Sequence, residues 1–448
     1  MEPETGNLGS LERLRELRRR GERLYFCDLH IHGKYSRATS ARMNIQEISR
    51  FARIKGLKIV GTGDFTHPMW FRELKEGLGE VDETGLYIPK GRRDREVYFL
   101  VTGEVSTIFE YQGEVKKIHH LILVPNLEVA QQVNDRLARY GDLSSDGRPT
   151  LDMSAPELVE EVMEVSAESM IIPAHIWTPW FSLFGAFSGF DSIEDCYQDQ
   201  TKNIHAVETG LSSDPPMNWR LSSLDRYTLV SNSDSHSPWP WRIGREANAF
   251  VLYELTYRGI VDAIMRKGVN RVEFTIETDP SYGKYHWTGH RRCGVSMSPI
   301  EAIKVRNVCP VCGRKLTKGV SQRVEELADR PDGFKPKNVP GYIHLLPLSE
   351  IIQVTKGYSS PNVRQVWSAY SKLIDRFGDE YTVLMEAPAK EIAEATDSEI
   401  AGSVISVREG RVKITPGYDG VYGKIDLLAG KENVKTKARR RGTLDDFL

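Results

Sequence analysis

The stretch CDLHIHGKYS, residues 27–36, closes a short apolar run with two imidazoles, His30 and His32, two positions apart. On an extended chain, residues two apart share a side, so both rings can reach one ion. The pattern recurs outward from there. Asp64 and His67 follow LKIVGTG, Glu104 ends VYFLVTGE, and His119 and His120 lie in KIHHLILV. His175 ends SMIIPAH, Glu208 lies in IHAVETG, and SNSDSH carries Asp234 and His236. Neighbours on a strand face opposite sides, so only one of His119 and His120 turns inward. In a (β/α) barrel all strand C-termini open onto one face, so residues dispersed along the chain converge. Imidazoles with carboxylates suit Zn²⁺, Mn²⁺ or Fe²⁺, and eight or nine such groups exceed the needs of one four-coordinate ion. Two or three ions are expected.

The rest of the chain supports an α/β reading. β-branched runs alternate with helical periodicity from about residue 22 to 280, and NIQE and SAPE are capping boxes, with Asn44 and Ser154 as caps. An opening amphipathic helix carries Leu11, Leu14 and Leu17 on one face with Ser10 as its cap. Lysine plus arginine (60) nearly cancels aspartate plus glutamate (62), so a polyanion must be met by a local patch rather than a global field. No run has the apolar length of a membrane span, and the first twenty residues are charged rather than signal-like. A cytoplasmic protein without membrane contact is expected.

Three of the five cysteines fall in HRRCGVSMSPIEAIKVRNVCPVCG. His290 and Cys293, then Cys309 and Cys312, form two close pairs around a fifteen-residue loop, a ligand set for structural, tetrahedral Zn²⁺. His286 is an alternative fourth ligand. Lys284, Arg291 and Arg292 around this knuckle suit phosphates. Beside His175 runs IWTPWFSLFGAFSGF, with Trp177, Trp180, Phe181 and Phe184. SPWPWRIGREAN after His236 adds Trp239, Trp241, Arg242 and Arg245. Aromatic density beside a metal site suits stacking of an unpaired base, so DNA is the expected partner.

The motifs DLHIH, GTGDFTHP, TGE, HHLIL, PAHIW and SNSDSH, in that order, resemble those of the polymerase and histidinol phosphatase (PHP) superfamily. The resemblance implies a distorted (β/α)7 barrel with a multi-metal phosphoesterase centre. It assigns His30, His32, Asp64, His67, Glu104, His120, His175, Asp234 and His236 to the metals, His120 being preferred to His119. His67 stands in for the usual histidine at Phe65. In such a centre Asp234 and His175 act at the ions, and Asp64 or Glu208 orients the attacking water. The last residues, RGTLDDFL, put Leu444, Phe447 and Leu448 on one helical turn, which resembles a sliding-clamp (PCNA) binding box with Arg441 where glutamine is usual.

Together with RVEELADRPDGFKP and PGYDGVYGKI, these features are similar to the endonuclease Q family. That similarity implies Mg²⁺- or Mn²⁺-dependent cleavage of DNA on the 5′ side of uracil, hypoxanthine, xanthine or an abasic site, with Zn²⁺ in the knuckle and among the active-site ions. The expected organisation is an N-terminal helical extension (1–21), the PHP barrel (22–280), a small zinc-binding domain (281–320), a mixed, mostly helical DNA-interacting domain (321–430) and a basic clamp-binding tail (431–448). A PHP-type small-molecule phosphatase and a non-catalytic, metal-stiffened DNA-binding module are the rival readings.

Overall fold

The computed structural model describes residues 6–92 and 95–427. The clamp-like residues Leu444, Phe447 and Leu448 and the rest of the basic tail lie outside the described residues. The strands are β1 (Leu24–Asp28), β2 (Ile59–Gly61), β3 (Leu78–Glu80), β4 (Leu86–Pro89), β5 (Tyr98–Leu100), β6 (Thr102–Tyr111), β7 (Glu114–Leu123), β8 (Thr150–Leu151), β9 (Met170–Pro173), β10 (Ala206–Glu208), β11 (Thr228–Val230), β12 (Ala247–Val251), β13 (Arg271–Glu277), β14 (Thr288–His290), β15 (Val295–Met297), β16 (Gly341–His344), β17 (Lys413–Thr415) and β18 (Lys424–Asp426).

The architecture is mixed α/β. Its ladders divide into an eight-stranded sheet of order β16-β13-β12-β1-β2-β5-β4-β3, a four-stranded sheet β8-β6-β7-β9 and a pair β10-β11. β1, β2 and β5 run parallel, with Cys27 opposite Ile59 and Ile59 opposite Tyr98. Their C-termini therefore deliver His30, His32 and Asp64 to one end. VYFLVTGE reads as one strand but is two: the chain leaves β5 at Val101 and enters the second sheet as β6. Thr62 stitches the two sheets there, donating from Oγ1 to Thr102 O and accepting from Thr102 N, both at 3.0 Å. β6 and β7 form a long antiparallel hairpin whose tip, Gln112-Gly113, has φ of 52° and 80°, the left-handed pair that a tight two-residue turn requires. After β11, His32 N donates to Ser235 O at 2.9 Å, which draws Asp234 beside the end of β1.

Local chemistry places the surrounding helices. In Ile45–Lys55 the buried residues Ile45, Ile48, Phe51, Ala52 and Lys55 follow helical spacing, Asn44 Oδ1 accepts from Glu47 N at 3.0 Å, and left-handed Gly56 ends the helix. Ser154 and Glu157 form a full capping box. The first helix starts at Asn7, a turn earlier than expected. Ser10 is therefore not its cap but lies inside it, donating to Tyr342 O at 2.9 Å. Helices dominate residues 348–408, and this region is clamped to the sheet end. Buried Lys55 donates to Glu380 at 2.7 Å and to Pro240 O at 2.8 Å, Tyr381 OH donates to Gly244 O at 2.6 Å, and Arg245 meets Glu350 at 3.1 Å. The β17–β18 hairpin, which the expected boundaries group with these helices, returns to the knuckle: Tyr418 bridges Trp287, and Arg291 N donates to Asp419 at 2.7 Å. Among the described residues no helix is long and apolar enough to cross a membrane.

Burial pushes the Lys55 amine down, and Glu380 opposes that shift. Removing the carboxylate strands a buried cation. Glu380→Ala is expected to cost about 3–5 kcal/mol in urea unfolding, whereas the paired Lys55→Met/Glu380→Leu change costs far less.

Candidate metal centre

At the strand ends, the donor atoms of His30, His32, Glu104 and Asp234 all lie within 4.8 Å of one another, and so do those of Glu104, His119 and His175. Glu104 belongs to both groups. Its Oε2 lies 3.4 Å from His30 Nε2 and 3.3 Å from His32 Nε2, while its Oε1 lies 2.9 Å from His119 Nδ1 and 3.0 Å from His175 Nε2. Arg148 Nη1 donates to Oε2 at 3.1 Å. Asp234 Oδ1 stands 2.8 Å from His32 Nε2 and 3.7 Å from His30 Nε2.

The imidazoles are aimed from behind. His30 Nδ1 lies 3.0 Å from Glu208, and His32 Nδ1 lies 2.9 Å from Asp64. A proton held on each Nδ1 turns the Nε2 lone pair toward the shared space, the arrangement found behind metal-bound histidines. Glu208 is itself fixed by Asn232 Nδ2 and His175 N, both at 2.8 Å, and Asp64 by Gly33 N at 2.6 Å. His30 Nε2 is fully buried and has no hydrogen-bond partner. An orphaned nitrogen facing two carboxylates fits a cation between them. The backbone is strained here as well: Asp64, His175 and Asp234 adopt φ of 49°, 30° and 48°. Each such conformation costs roughly 1–3 kcal/mol and persists only where surrounding bonds enforce it.

Charge is arranged to match. Burial alone would neutralise Glu104, but His119, Arg148 and His30 outweigh it and hold the carboxyl well below its usual range. Burial likewise opposes ionisation of Asp234, and His32 and His30 overcome it. Burial would lower His30 and His32, yet Glu208 with Glu104, and Asp64 with Asp234, keep both well above the ordinary value. His119 is pushed down to about 4, chiefly by burial, so near neutral pH it meets Glu104 as a neutral hydrogen-bonding ring while Arg148 and His30 carry the charge.

Several expectations need correction. His120 faces away from the centre, bonded to Thr107 Oγ1 at 2.9 Å and Tyr197 OH at 2.8 Å, while His119 occupies the inner face. Asp64 and Glu208 are turned to the backs of the histidines and do not face an attacking water. Phe65 is core, packed against Gly103, and His67 does not replace the missing imidazole: it joins neither donor group and stacks on Tyr35 at 4.7 Å. His236 stands at the rim, its ring 4.3 Å from that of His32 and its Nδ1 2.9 Å from Asp234 O. Trp177 and Phe184 are buried, Trp177 donating to Asn218 at 2.8 Å, so neither is available to a base. Arg245 is spent on Glu350, and Trp239 and Trp241 stack on each other beneath Trp367 of the helical region. Arg242 remains exposed. Trp180 is 43% exposed and stacks on Phe187, 51% exposed, at 4.9 Å, with Tyr285 of the knuckle segment against its edge. Phe181 lies 5.0 Å from the His119 ring. Arg148 is the site residue that the motif reading leaves out, whereas His119 is weighed there against His120 and Phe187 belongs to the aromatic run after His175.

In the second cluster, His290, Cys293, Cys309 and Cys312 bring their donor atoms within the same 4.8 Å, with His290 Nδ1 3.3 Å from Cys312 Sγ. His286 is engaged elsewhere, 2.8 Å from Ser321 Oγ. Burial opposes thiolate formation at Cys309, but the amides of Cys312 and Val311 bring it down to about 6. Residues 281–320 carry eight lysines and arginines against one acid, Glu301. Lys284, Arg291 and Arg292 are exposed there.

The chain is 34% identical to the lesion-specific endonuclease Q of Pyrococcus furiosus, whose structure superposes with a TM-score of 0.81 over 92% of this chain and 98% of that one. The chain belongs to the endonuclease Q family. An endonuclease Q solved with a 27-mer duplex substrate bearing an abasic lesion is 33% identical, with a TM-score of 0.80 over 92% of this chain and all of that one. Residues 347–411, within the helical region, match the family model of the MJ0043 C-terminal domain. Protein MJ0043 of Methanocaldococcus jannaschii is 36% identical over 262 residues, 57% of this chain, which spans about a third (32%) of that protein's length. Protein YqxK of Bacillus subtilis is 29% identical over 89% of this chain and 98% of its own.

Exchanging the two adjacent histidines separates their roles. His119→Ala is expected to lower bound metal in elemental assays by roughly one ion per chain. His120→Ala keeps the metal but loses about 1–3 kcal/mol of stability through its stranded Thr107 and Tyr197 partners.

Proposed function

We propose that this chain is a metal-dependent DNA endonuclease that hydrolyses the phosphodiester on the 5′ side of uracil, hypoxanthine, xanthine or an abasic site in DNA repair, on a distorted (β/α)7 barrel of the PHP type. The observation that carries the reading is the carboxylate of Glu104 divided between two donor groups, with an exposed aromatic step beside them. His30, His32, Glu104 and Asp234 would hold one divalent cation, and Glu104, His119 and His175 a second. Such cations acidify a bound water and offset charge on a phosphorane-like transition state. The chain's own part is positional. Glu208 and Asp64 keep the imidazole protons on Nδ1, and the strained turns at His175 and Asp234 fix donor directions before substrate arrives.

The stacked Trp180–Phe187 pair offers a platform for a base left unpaired when the target nucleotide is extruded, and the Phe181 ring lies 5.0 Å from that of His119. The basic knuckle segment, with Zn²⁺ on His290, Cys293, Cys309 and Cys312, grips the phosphate backbone through Lys284, Arg291 and Arg292. Mg²⁺ or Mn²⁺ supports turnover. The neighbour solved with an abasic duplex supports DNA as the partner. Leu444, Phe447 and Leu448 would engage a sliding clamp, and a cytoplasmic setting follows from this role.

With Mg²⁺ or Mn²⁺, the protein is expected to nick duplex DNA 5′ of a single uracil and leave the unmodified duplex whole. Asp234→Ala should cut roughly 10²-fold slower or worse, the usual loss when one electrostatic partner leaves such a site. Intact DNA alongside phosphate released from a small monoester would replace this reading with that of a phosphatase. Tight binding with neither product would leave a DNA-binding module.

A further inference from the structure

The loop preceding β8 carries an Asp-Gly-Arg step, residues 146–148, built over the metal donors. Asp146 Oδ1 accepts from Ser36 Oγ, Arg37 N and Arg148 N, each at 3.1 Å, so one carboxylate pins the loop to the segment that follows His32. Gly147 N donates to Tyr35 O at 3.2 Å, and Thr66 Oγ1 donates to Gly147 O at 3.3 Å. A Cβ at Gly147 would collide with the Asp64 carboxylate, so a side chain is excluded where the loop crosses behind His32. These bonds fix the backbone without using the guanidinium. That group is aimed inward: among the described residues its hydrogen-bond partner is Glu104 Oε2 at 3.1 Å. The Arg148 side chain is 24% exposed while Glu104 is fully buried, so the arginine stands between the carboxylate and the open side.

The contact conflicts with the proposed centre. Both oxygens of Glu104 are the natural property of the two donor groups. Cations there would take the acceptor from Arg148 and set positive charge beside a guanidinium that is never neutral. A rigidly mounted arginine in that position needs an anion, and its planar fork matches two oxygens of a phosphate. We propose that Arg148 is a catalytic residue that binds the non-bridging oxygens of the scissile phosphodiester. There it stabilises the added negative charge as water forms the new P–O bond and the ester P–O bond breaks, water's proton leaving to solvent or to the departing oxygen. The assignment rests on the endonuclease reading above.

Arg148→Ala and Arg148→Lys, compared with wild type on the uracil duplex, test this. The alanine variant is expected to keep the wild-type metal content and to cut at saturating DNA about 10²-fold slower or worse, as for loss of one fixed donor to a transition state. Methylguanidine should restore part of that rate and should do nothing for Asp234→Ala. Lysine, which keeps the charge without the fork, should recover only a minor part; where alanine impairs folding, Arg148→Lys with its metal content carries the comparison. Near-wild-type cutting by Arg148→Ala overturns the assignment. So does a lost rate matched by lost metal, which would make Arg148 only a support for Glu104. A wild-type protein that cuts no lesion duplex removes the endonuclease reading itself, and this assignment with it.

Discussion

Glu104 is a charged carboxylate with no exposure, and the architecture around it exists to keep it charged. Burying such an ion costs several kcal/mol unless partners surround it. Here four imidazoles and one guanidinium do so. Two of the rings come from the segment after β1, one from β7 and one from the turn after β9, so the carboxylate joins the two main sheets at their common end. The seam near Thr62 and Thr102 is what lets β6 present Glu104 to residues carried by β1.

The protein invests stability elsewhere to hold this point. Left-handed turns at Asp64, His175 and Asp234 are unfavourable, and each is locked by hydrogen bonds that also serve the donors. Gly210, itself left-handed, leaves room against His175 that a side chain would fill. The helical region braces the same end through Lys55–Glu380 and Arg245–Glu350, pairs that span distant parts of the chain. The tryptophans after His236 belong to this brace. They stack on each other and meet Trp367 edge-on, while Trp180 and Phe187 stay exposed on the segment after His175.

Much of the centre was legible in the sequence because strand ends announce themselves. His30 and His32 two apart, and acids or histidines after successive apolar runs, carry a period that chance does not reproduce. The His119–His120 choice was legible too, but from a different signal. The Gln112-Gly113 tip pairs Tyr111 with Glu114, so each residue of β6 lies opposite the residue whose number sums with it to 225. Even-numbered Glu104 therefore shares its face with odd-numbered His119. A family pattern pointed to the wrong ring where hairpin parity pointed to the right one. Asp64 and Glu208 were found as residues but not in their roles, since spacing cannot tell a carboxylate behind a histidine from one in front. Arg148 carried no signal, because it comes from a loop rather than a strand end. Trp177, Phe184 and Arg245 were misjudged because density of aromatic or basic residues says nothing about which ones the core absorbs.

Glu104 is placed to serve two cations with one carboxylate. Crystals grown with Mn²⁺ and measured for anomalous scattering at its absorption edge test that most directly. Two anomalous peaks are expected, one among His30, His32 and Asp234 and one beside His119 and His175, with Glu104 between them. A centre with no peak at Glu104, or with one ion touching only one of the two groups at saturating Mn²⁺, would contradict it.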